Sequence, residues 1–191
     1  MSAKATEIKP GMAVIYDDQL HIVLDTEHVK PGKGPAYVQA KMKNVMTGSI
    51  TTKRLNSADK VETASIDKRD MEFLYDNSGS GEGPFVFMDL QTFDQLEIHS
   101  DVLGKDQSQY LKPNTAVTVQ IFQGRPLGVT LPSAVELEVV DTAPQPKGAT
   151  VTNQLKEARL ETGAVVRVPP FIENGQVVRV STETGEYLGK A

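Results

Sequence analysis

A single lysine, Lys33, stands between Gly32 and Gly34, and a proline lies outside each glycine, at Pro31 and Pro35. Proline fixes φ and stiffens its side of a turn, whereas glycine adopts backbone angles that other residues resist. The spacing therefore predicts a tight hairpin tip that holds one cationic side chain away from the fold. A lysine displayed in this way can probe an anionic site or accept a covalent modification. The alternative is an ordinary β-turn that carries a solvated lysine.

Basic residues are concentrated around this tip. Residues 28–58 contain six Lys or Arg and no Asp or Glu, although the formal net charge of the chain is −5. Residues 65–128, in contrast, contain five Lys or Arg and ten Asp or Glu. Such segregation lets one end of a molecule meet phosphate while the rest avoids non-specific binding to nucleic acid. A merely solvated basic hairpin is the alternative.

The residue patterns of common catalytic and metal sites are absent from the sequence. The chain has no cysteine, which excludes disulfides, thiolate metal sites and a cysteine nucleophile. His21, His28 and His99 show no metal-ligand spacing, and His21 lies between apolar neighbours, as a core or cross-strand histidine does. No phosphate-binding glycine-rich loop, nucleophile elbow or two-histidine zinc helix is found. We therefore predict no enzymatic activity, no metal site and no cofactor.

The elements that must position Lys33 read as β-strands. Apolar and polar residues alternate in segments 36–43, 117–121 and 135–139, as in strands with one buried face. The pair Asn174-Gly175 between two apolar dipeptides predicts a hairpin, because both residues tolerate positive φ. Only segment 100–111 has a weak helical pattern.

Length and turn spacing predict three small domains. The charge changes near residues 63–67, and Pro132 interrupts two strand-like runs near residues 130–133. These boundaries give domains 1–65, 66–130 and 131–191, whose lengths suit small β-barrels of the SH3-like and OB types. The glycine-rich segment 79–83 reads as a flexible hairpin within the second domain. No apolar run is long enough to span a membrane and no signal segment is present, so we expect a protein that does not bind membranes. The absence of cysteine fits a cytoplasmic location.

Several motifs resemble bacterial elongation factor P, in the order in which that family carries them. They are the lysine-tipped hairpin, the following VQAKMKNVMTG at residues 38–48, TFDQL at 92–96, LETGAVVRVP at 160–169 and GQVVRVSTETGEYL at 175–188. Any one of these motifs is weak by itself, but together they span nearly the whole chain.

The resemblance implies an all-β fold of three small barrels in an L-shaped, tRNA-like arrangement. The first is an SH3/KOW-like domain with the lysine-tipped hairpin, and the other two are OB-type domains. The implied function is that of a monomeric elongation factor that binds the 70S ribosome between the peptidyl-tRNA and exit sites and relieves stalling at consecutive prolines. Lys33 then reaches toward the CCA end of the peptidyl-tRNA, often after extension by a lysine-modifying enzyme.

The resemblance also implies contacts with tRNA and ribosomal RNA. Phosphate contacts near the tip are expected from Lys30, Lys41 and Lys43, and with less support from Lys53 and Arg54. A codon-proximal loop corresponds to the segment that contains Gly148 and Thr150, but the acid and the second glycine of the family pattern are missing there.

Two other functions compete with this interpretation. A general OB-fold module would bind single-stranded nucleic acid. The sequence, however, has no cluster of exposed aromatic residues on a basic strand on which bases could stack. A specialised paralogue of the same family usually carries arginine at the tip, where this chain has Lys33.

Overall fold

The computed structural model describes residues 1–145 and 154–191. These residues form three antiparallel β-sheets with very little helix, so the fold is all-β as predicted. By contact density the chain divides into two compact units, Met1–Asp67 and Lys68–Ala191.

The first unit holds a six-stranded sheet with the strand order β1-β6-β2-β3-β4-β5. Val38, Ala40 and Met42 alternate along β4 and are buried in its core, which confirms the period-2 pattern of this segment. A single 3-10 turn, Ala5–Glu7, follows the first strand. The strands are β1 Ser2–Lys4, β2 Ala13–Tyr16, β3 Gln19–Val29, β4 Tyr37–Asn44, β5 Ile50–Asn56 and β6 Lys60–Ala64.

The second sheet begins the second unit and has the strand order β11-β10-β7-β8-β9. Val117, Val119 and Ile121 are buried along β10, as their alternation predicts. Their neighbours in the core include the rings of Phe73 and Phe87, whose centroids lie 5.4 Å apart. The strands are β7 Asp67–Asp76, β8 Phe85–Asp89, β9 Gln95–Ile98, β10 Ala116–Phe122 and β11 Arg125–Thr130.

The loop between β7 and β8 is organised by the carboxylate of Asp76. It accepts hydrogen bonds from the backbone N–H groups of Ser78 (3.0 Å), Gly81 and Gly83 (3.2 Å), and from the Ser78 hydroxyl (2.8 Å). Partial burial raises the pKa of Asp76, but these hydrogen bonds outweigh it and leave the pKa below its ordinary value. The glycine-rich segment 79–83 is therefore a hairpin loop, as expected, with an internal hydrogen-bond network that the sequence did not reveal.

The first residues of the TFDQL motif lie in a second organised turn, between β8 and β9, and its last two residues begin β9. The carboxylate of the buried Asp89 accepts hydrogen bonds from the backbone N–H groups of Gln91 (2.8 Å) and Thr92 (3.1 Å). It also forms an ion pair with Arg69 at 3.4 Å. The two backbone hydrogen bonds lower the pKa of Asp89, and the Arg69 charge lowers it further. Phe93 follows with φ +61° and is 70% exposed.

The third sheet has the strand order β14-β13-β12-β15-β16. Val135, Leu137 and Val139 of β12 are buried and Glu136 and Glu138 are exposed, which confirms the alternation of this segment. The strands are β12 Ala134–Thr142, β13 Lys156–Leu160, β14 Val165–Val168, β15 Val177–Ser181 and β16 Tyr187–Lys190.

The hairpin predicted at Asn174-Gly175 is wrong in its pairing. Residues 170–171 and 174–175 form turns, no strand lies between β14 and β15, and β15 pairs with the more distant β12. Pro169 and Pro170 supply no N–H groups, which disfavours strand pairing immediately before this segment. The turn is tied to β12, because the Gly175 N–H donates to the Val139 carbonyl at 2.8 Å and the Asn174 side-chain oxygen accepts the Thr142 N–H at 2.8 Å.

The helical pattern at residues 100–111 yields one α-helical turn, α1, at Lys105–Ser108. The next turn has the tighter 3-10 hydrogen-bond pattern, in which the N–H groups of Tyr110 and Leu111 donate to the carbonyl oxygens of Gln107 and Ser108. Tyr110 is 6% exposed and packs in the core of the third sheet, although its flanking strands belong to the second. A Cβ atom on Gly185 would lie 2.7 Å from the Tyr110 hydroxyl oxygen, so only glycine fits there without displacing the ring.

The part of the chain described by the structure contains no helix that is long and apolar enough to cross a membrane.

Candidate functional site

Lys33 lies in the loop between β3 and β4. The last residue pair of these strands is Val29 with Tyr37, so residues 30–36 project beyond the paired strands. Lys33 and its neighbours Gly32, Gly34 and Pro35 are exposed. The predicted exposed Lys33 is therefore present between the two strands, but on a longer loop that also carries the exposed Lys30, and not on a tight turn.

Few hydrogen bonds tie this loop to the fold. Within residues 30–36, the hydrogen bond that the structure shows is the one from the Ser57 N–H to the Ala36 carbonyl, at 3.1 Å. The two ion pairs of residues 1–145 and 154–191 are Arg69–Asp89 and Lys112–Glu161, and neither involves Lys33. The three donors of the Lys33 ammonium are thus available to a ligand.

The two tip glycines have different backbone roles, whereas the sequence suggested the same role for both. Gly34 has φ +108°, a conformation that L-residues rarely adopt. Gly32 lies outside that region, and a Cβ atom there would meet no other atom within 4 Å. The backbone geometry requires glycine at position 34, while position 32 has space for a side chain.

Three of the predicted phosphate-binding residues lie on one face of the sheet. Lys41 and Lys43 alternate with buried residues along β4, and Arg54 on β5 pairs with Gln39, which shares their face. All three basic side chains are exposed. Lys30 lies in the tip loop itself and is exposed. The structure therefore brings these cations to the hairpin and to its outer face.

Lys53 lies on the opposite face. It pairs with the fully buried Ala40, and its ammonium lies over the Tyr16 ring, 5.3 Å from the centroid. The sequence grouped Lys53 with Arg54 because the two are adjacent. Successive residues of a strand point to opposite faces, so adjacency separates them in space.

Two carboxylates stand near the basic face, although none occurs in residues 28–58. Strand β3 places Asp25 opposite Lys41 and Glu27 opposite Gln39. The Asp25 carboxylate accepts the Thr26 N–H at 2.8 Å and forms no ion pair with Lys41 within 4.0 Å. The outer face is therefore mixed in charge at β3 and basic at β4 and β5.

Tyr37 is the residue of this face that the sequence did not single out. It is the first residue of β4, directly after the tip loop, and the Arg54 guanidinium carbon lies 3.8 Å from its ring centroid. The signal in the sequence that could have indicated this residue was its position, since Tyr37 is an aromatic residue at the end of the lysine-tipped segment. Its meaning depends on the β4–β5 register, which the sequence did not give.

The remaining predicted residues add little to this site. His21 is buried, and its Nδ1 lies 2.9 Å from the Gln19 carbonyl oxygen, as expected for a core histidine with a polar partner. No group of three or more His, Cys, Asp or Glu residues suited to a metal ion occurs in the described ranges. Gly148 and Thr150 of the predicted codon-proximal loop lie outside the described residues.

Solved structures define the class of fold. The chain is similar to one described as eukaryotic translation initiation factor 5A from Methanococcus jannaschii, with a TM-score of 0.53 and 24% identity over 69% of this chain and 94% of that chain. A translation initiation factor 5A family protein from Naegleria fowleri gives a TM-score of 0.50 and 15% identity over 69% of this chain and 98% of that chain. The chain therefore shares the β-barrel fold of these two structures over 69% of its length.

Family models and sequence relatives define the particular family. The elongation factor P KOW-like domain matches residues 4–61, the elongation factor P OB domain residues 66–129 and the elongation factor P C-terminal domain residues 135–190. Proteins named elongation factor P from Acidothermus cellulolyticus and Salinispora tropica are each 44% identical over 99% of this chain and cover 98% and 100% of their own lengths. The relative from Nocardia farcinica is 45% identical over 98% of both chains. The chain belongs to the elongation factor P family of translation factors.

Proposed function

We propose that this chain is a ribosome-binding elongation factor whose Lys33 reaches the CCA end of peptidyl-tRNA and relieves stalling at consecutive prolines. The observation that carries the proposal is the exposed Lys33, on a loop beyond the last β3–β4 pair and without a carboxylate partner in the described residues. Membership of the elongation factor P family supports the translational role.

The mechanism is one of positioning. Proline is a poor nucleophile in this setting, and its fixed φ favours unproductive geometries of the nascent chain. A cation held against the CCA backbone restricts the tRNA to reactive arrangements, which lowers the entropic part of the barrier. The chemistry belongs to the ribosome, and Lys33 supplies charge and reach.

Four further cations are proposed to contact RNA phosphates. Lys30 lies in the tip loop, and Lys41, Lys43 and Arg54 lie on the outer face below it. Phosphate contacts of this kind fix register and orientation without reading sequence. Lys53 faces Tyr16 on the other side of the sheet, and its phosphate contact stays a prediction.

The domain division and the state of Lys33 are also proposals. The strands of each sheet lie within one of the proposed domains 1–65, 66–130 and 131–191, and each domain overlaps one family model. A lysine exposed on a narrow loop suits a modifying enzyme in the cytoplasm, where the factor acts as a monomer. Intact mass of the native protein, followed by fragmentation of the peptide that contains Lys33, tests the modification. An unmodified lysine would overturn it.

A translation assay tests the function. Ribosomes that translate a Pro-Pro-Pro reporter should pause less when the wild-type protein is added, and Lys33→Ala should remove most of this effect. Lys60→Ala, which removes an exposed cation from β6, is the matched control and should behave like wild type. An unchanged pause with active ribosomes would contradict the proposal. Salt-sensitive affinity for free single-stranded RNA without an effect on pausing would favour the general nucleic-acid-binding module.

A further inference from the structure

The foot of the Lys33 loop contains a second cationic feature, in which a guanidinium is stacked on an aromatic ring. The Arg54 guanidinium carbon lies 3.8 Å from the centroid of the Tyr37 ring. Tyr37 and Arg54 are diagonal neighbours across β4 and β5, because Tyr37 pairs with Asn56 and Gln39 pairs with Arg54. Long side chains reach each other at this diagonal spacing. Contact with the ring restricts the conformations of an otherwise flexible side chain.

The polar edge of the guanidinium is left for an external partner. Arginine carries five N–H donors, and stacking on a ring uses the flat face of the group and leaves its edge open. Neither ion pair of the described residues involves Arg54, and its side chain is exposed. An arginine held in this way presents a preorganised fork to an oxyanion.

The acidic residues around the stack are separated from Arg54 or already engaged. Glu27 lies in the same cross-strand row, but Gln39 stands between it and Arg54, so the two are two strands apart, or about 10 Å. The Asp59 carboxylate accepts the Asn56 N–H at 2.8 Å and lies 3.5 Å from the Asn56 side-chain nitrogen. Lys41 adds positive charge on the same face. Neither of these acids therefore occupies the Arg54 fork, and Asp25 of β3 lies opposite Lys41, not opposite Arg54.

We propose that Arg54 binds a phosphate of the RNA that Lys33 approaches, and that Tyr37 is a positioning residue that holds the guanidinium toward this phosphate. The site anchors the foot of the loop, because Tyr37 is the first residue after it. The inference rests on the proposed function and goes beyond it, since it assigns a role to Tyr37 and separates Arg54 from its sequence neighbour Lys53. Phosphate is chosen over a protein carboxylate because Lys30 lies in the same loop and Lys41 lies on the same face of the sheet as Arg54.

The test is a double-mutant cycle on binding to 70S ribosomes that carry peptidyl-tRNA. The variants are Arg54→Gln, Tyr37→Leu, Tyr37→Phe, the double variant Tyr37→Leu/Arg54→Gln and the control Lys60→Gln. Arg54→Gln should weaken binding about tenfold and reduce the slope of log Kd against log salt by about 0.7–1, the loss of one phosphate contact. Tyr37→Leu should have a smaller effect in the same direction, and Tyr37→Phe, which keeps the ring, should bind like wild type.

The combination of variants is decisive. In the double variant, the loss should equal that of Arg54→Gln alone, since Tyr37 acts through Arg54. Additive losses, or a weaker affinity of Tyr37→Leu with an unchanged salt slope, would overturn the inference and indicate that the ring itself contacts RNA or protein. Wild-type protein that does not bind these ribosomes would contradict the proposed function instead. Lys60→Gln should leave affinity unchanged, and equal melting temperatures would exclude misfolding as the cause.

Discussion

The loop that carries Lys33 and the loop that follows Asp76 connect antiparallel strands in the same general way but are stabilised differently. Both are glycine-rich, and a charged residue is central to each: Lys33 within the first loop and Asp76 at the start of the second. In the second loop the Asp76 carboxylate gathers the N–H groups of Ser78, Gly81 and Gly83. In the first, Pro31 and Pro35 limit the backbone, and no side chain of the loop is used to hold it. A charge used inside a loop stabilises it, whereas a charge kept outside remains available to bind.

The largest expected effect separates the two loops by activity. Lys33→Ala should remove most of the relief of pausing on a Pro-Pro-Pro reporter, while changing the melting temperature by less than about 1 °C, because the side chain is exposed and forms no ion pair in the described residues. Asp76→Ala should keep this activity, since its carboxylate serves only its own loop. A reporter assay and a thermal melt on the same preparations check both. Equal loss of activity in the two variants would contradict the comparison.

The next effect separates the loops by stability. Asp76→Ala leaves several backbone N–H groups without their acceptor, and we expect a loss of about 1–2 kcal/mol, reduced by the solvent access of the loop. For a chain of this size the melting temperature should fall by roughly 2–6 °C. Asp101→Ala, at an exposed acid without a side-chain hydrogen bond in the described residues, is the control and should melt like wild type.

A third prediction concerns pH. The folded-state pKa of Asp76 is lowered, so its stabilisation is present above the ordinary aspartate pKa of about 3.9 and is lost as pH falls through the lower folded value. The difference in melting temperature between wild type and Asp76→Ala should be constant from about pH 7 to pH 5 and shrink below about pH 4. A difference that grows on acidification would show that the carboxylate does not act in its charged form.

The smallest effect lies within the Lys33 loop. An alanine at position 34 would have to adopt φ near +108°, which costs about 1 kcal/mol unless the loop changes shape. Since few hydrogen bonds hold the loop, we expect a change of shape and a two- to fivefold loss of pause relief, with little change in melting temperature. Gly32→Ala should retain activity, because its Cβ atom enters open space. An equal loss of pause relief in both variants would show that glycine is needed at position 32 as well as at position 34.

The sequence predicted the strands and the tip because both depend on local patterns. Alternation gave the buried residues Val38, Ala40 and Met42, and the glycine and proline spacing gave the exposed Lys33. The composition of the candidate site depended on strand register, which no local pattern encodes. For this reason Lys53 was grouped with Arg54, although the two residues face opposite sides of the sheet.

Contacts between distant segments explain the other differences. Asp25 precedes residues 28–58, the segment without Asp or Glu, yet the pairing of β3 with β4 places it opposite Lys41. The Asn174-Gly175 pair has the composition of a hairpin turn, but β15, the strand that follows it, pairs with β12 and not with the segment immediately before the turn. Competition between strand edges is a property of the assembled sheet, and a single segment carries no information about it.

The position of Tyr110 has a consequence for how this molecule can be divided or recombined. Its ring lies in the core of the third sheet, against the backbone at Gly185, while the strands on either side of it in sequence belong to the second sheet. A gene fragment that ends after β11 would expose this ring to water, and a fragment that begins at β12 would lack one of the buried side chains of its core. A chimaera that replaces either sheet must therefore keep a tyrosine at position 110 and a glycine at position 185, because the ring of one segment packs against the backbone of the other.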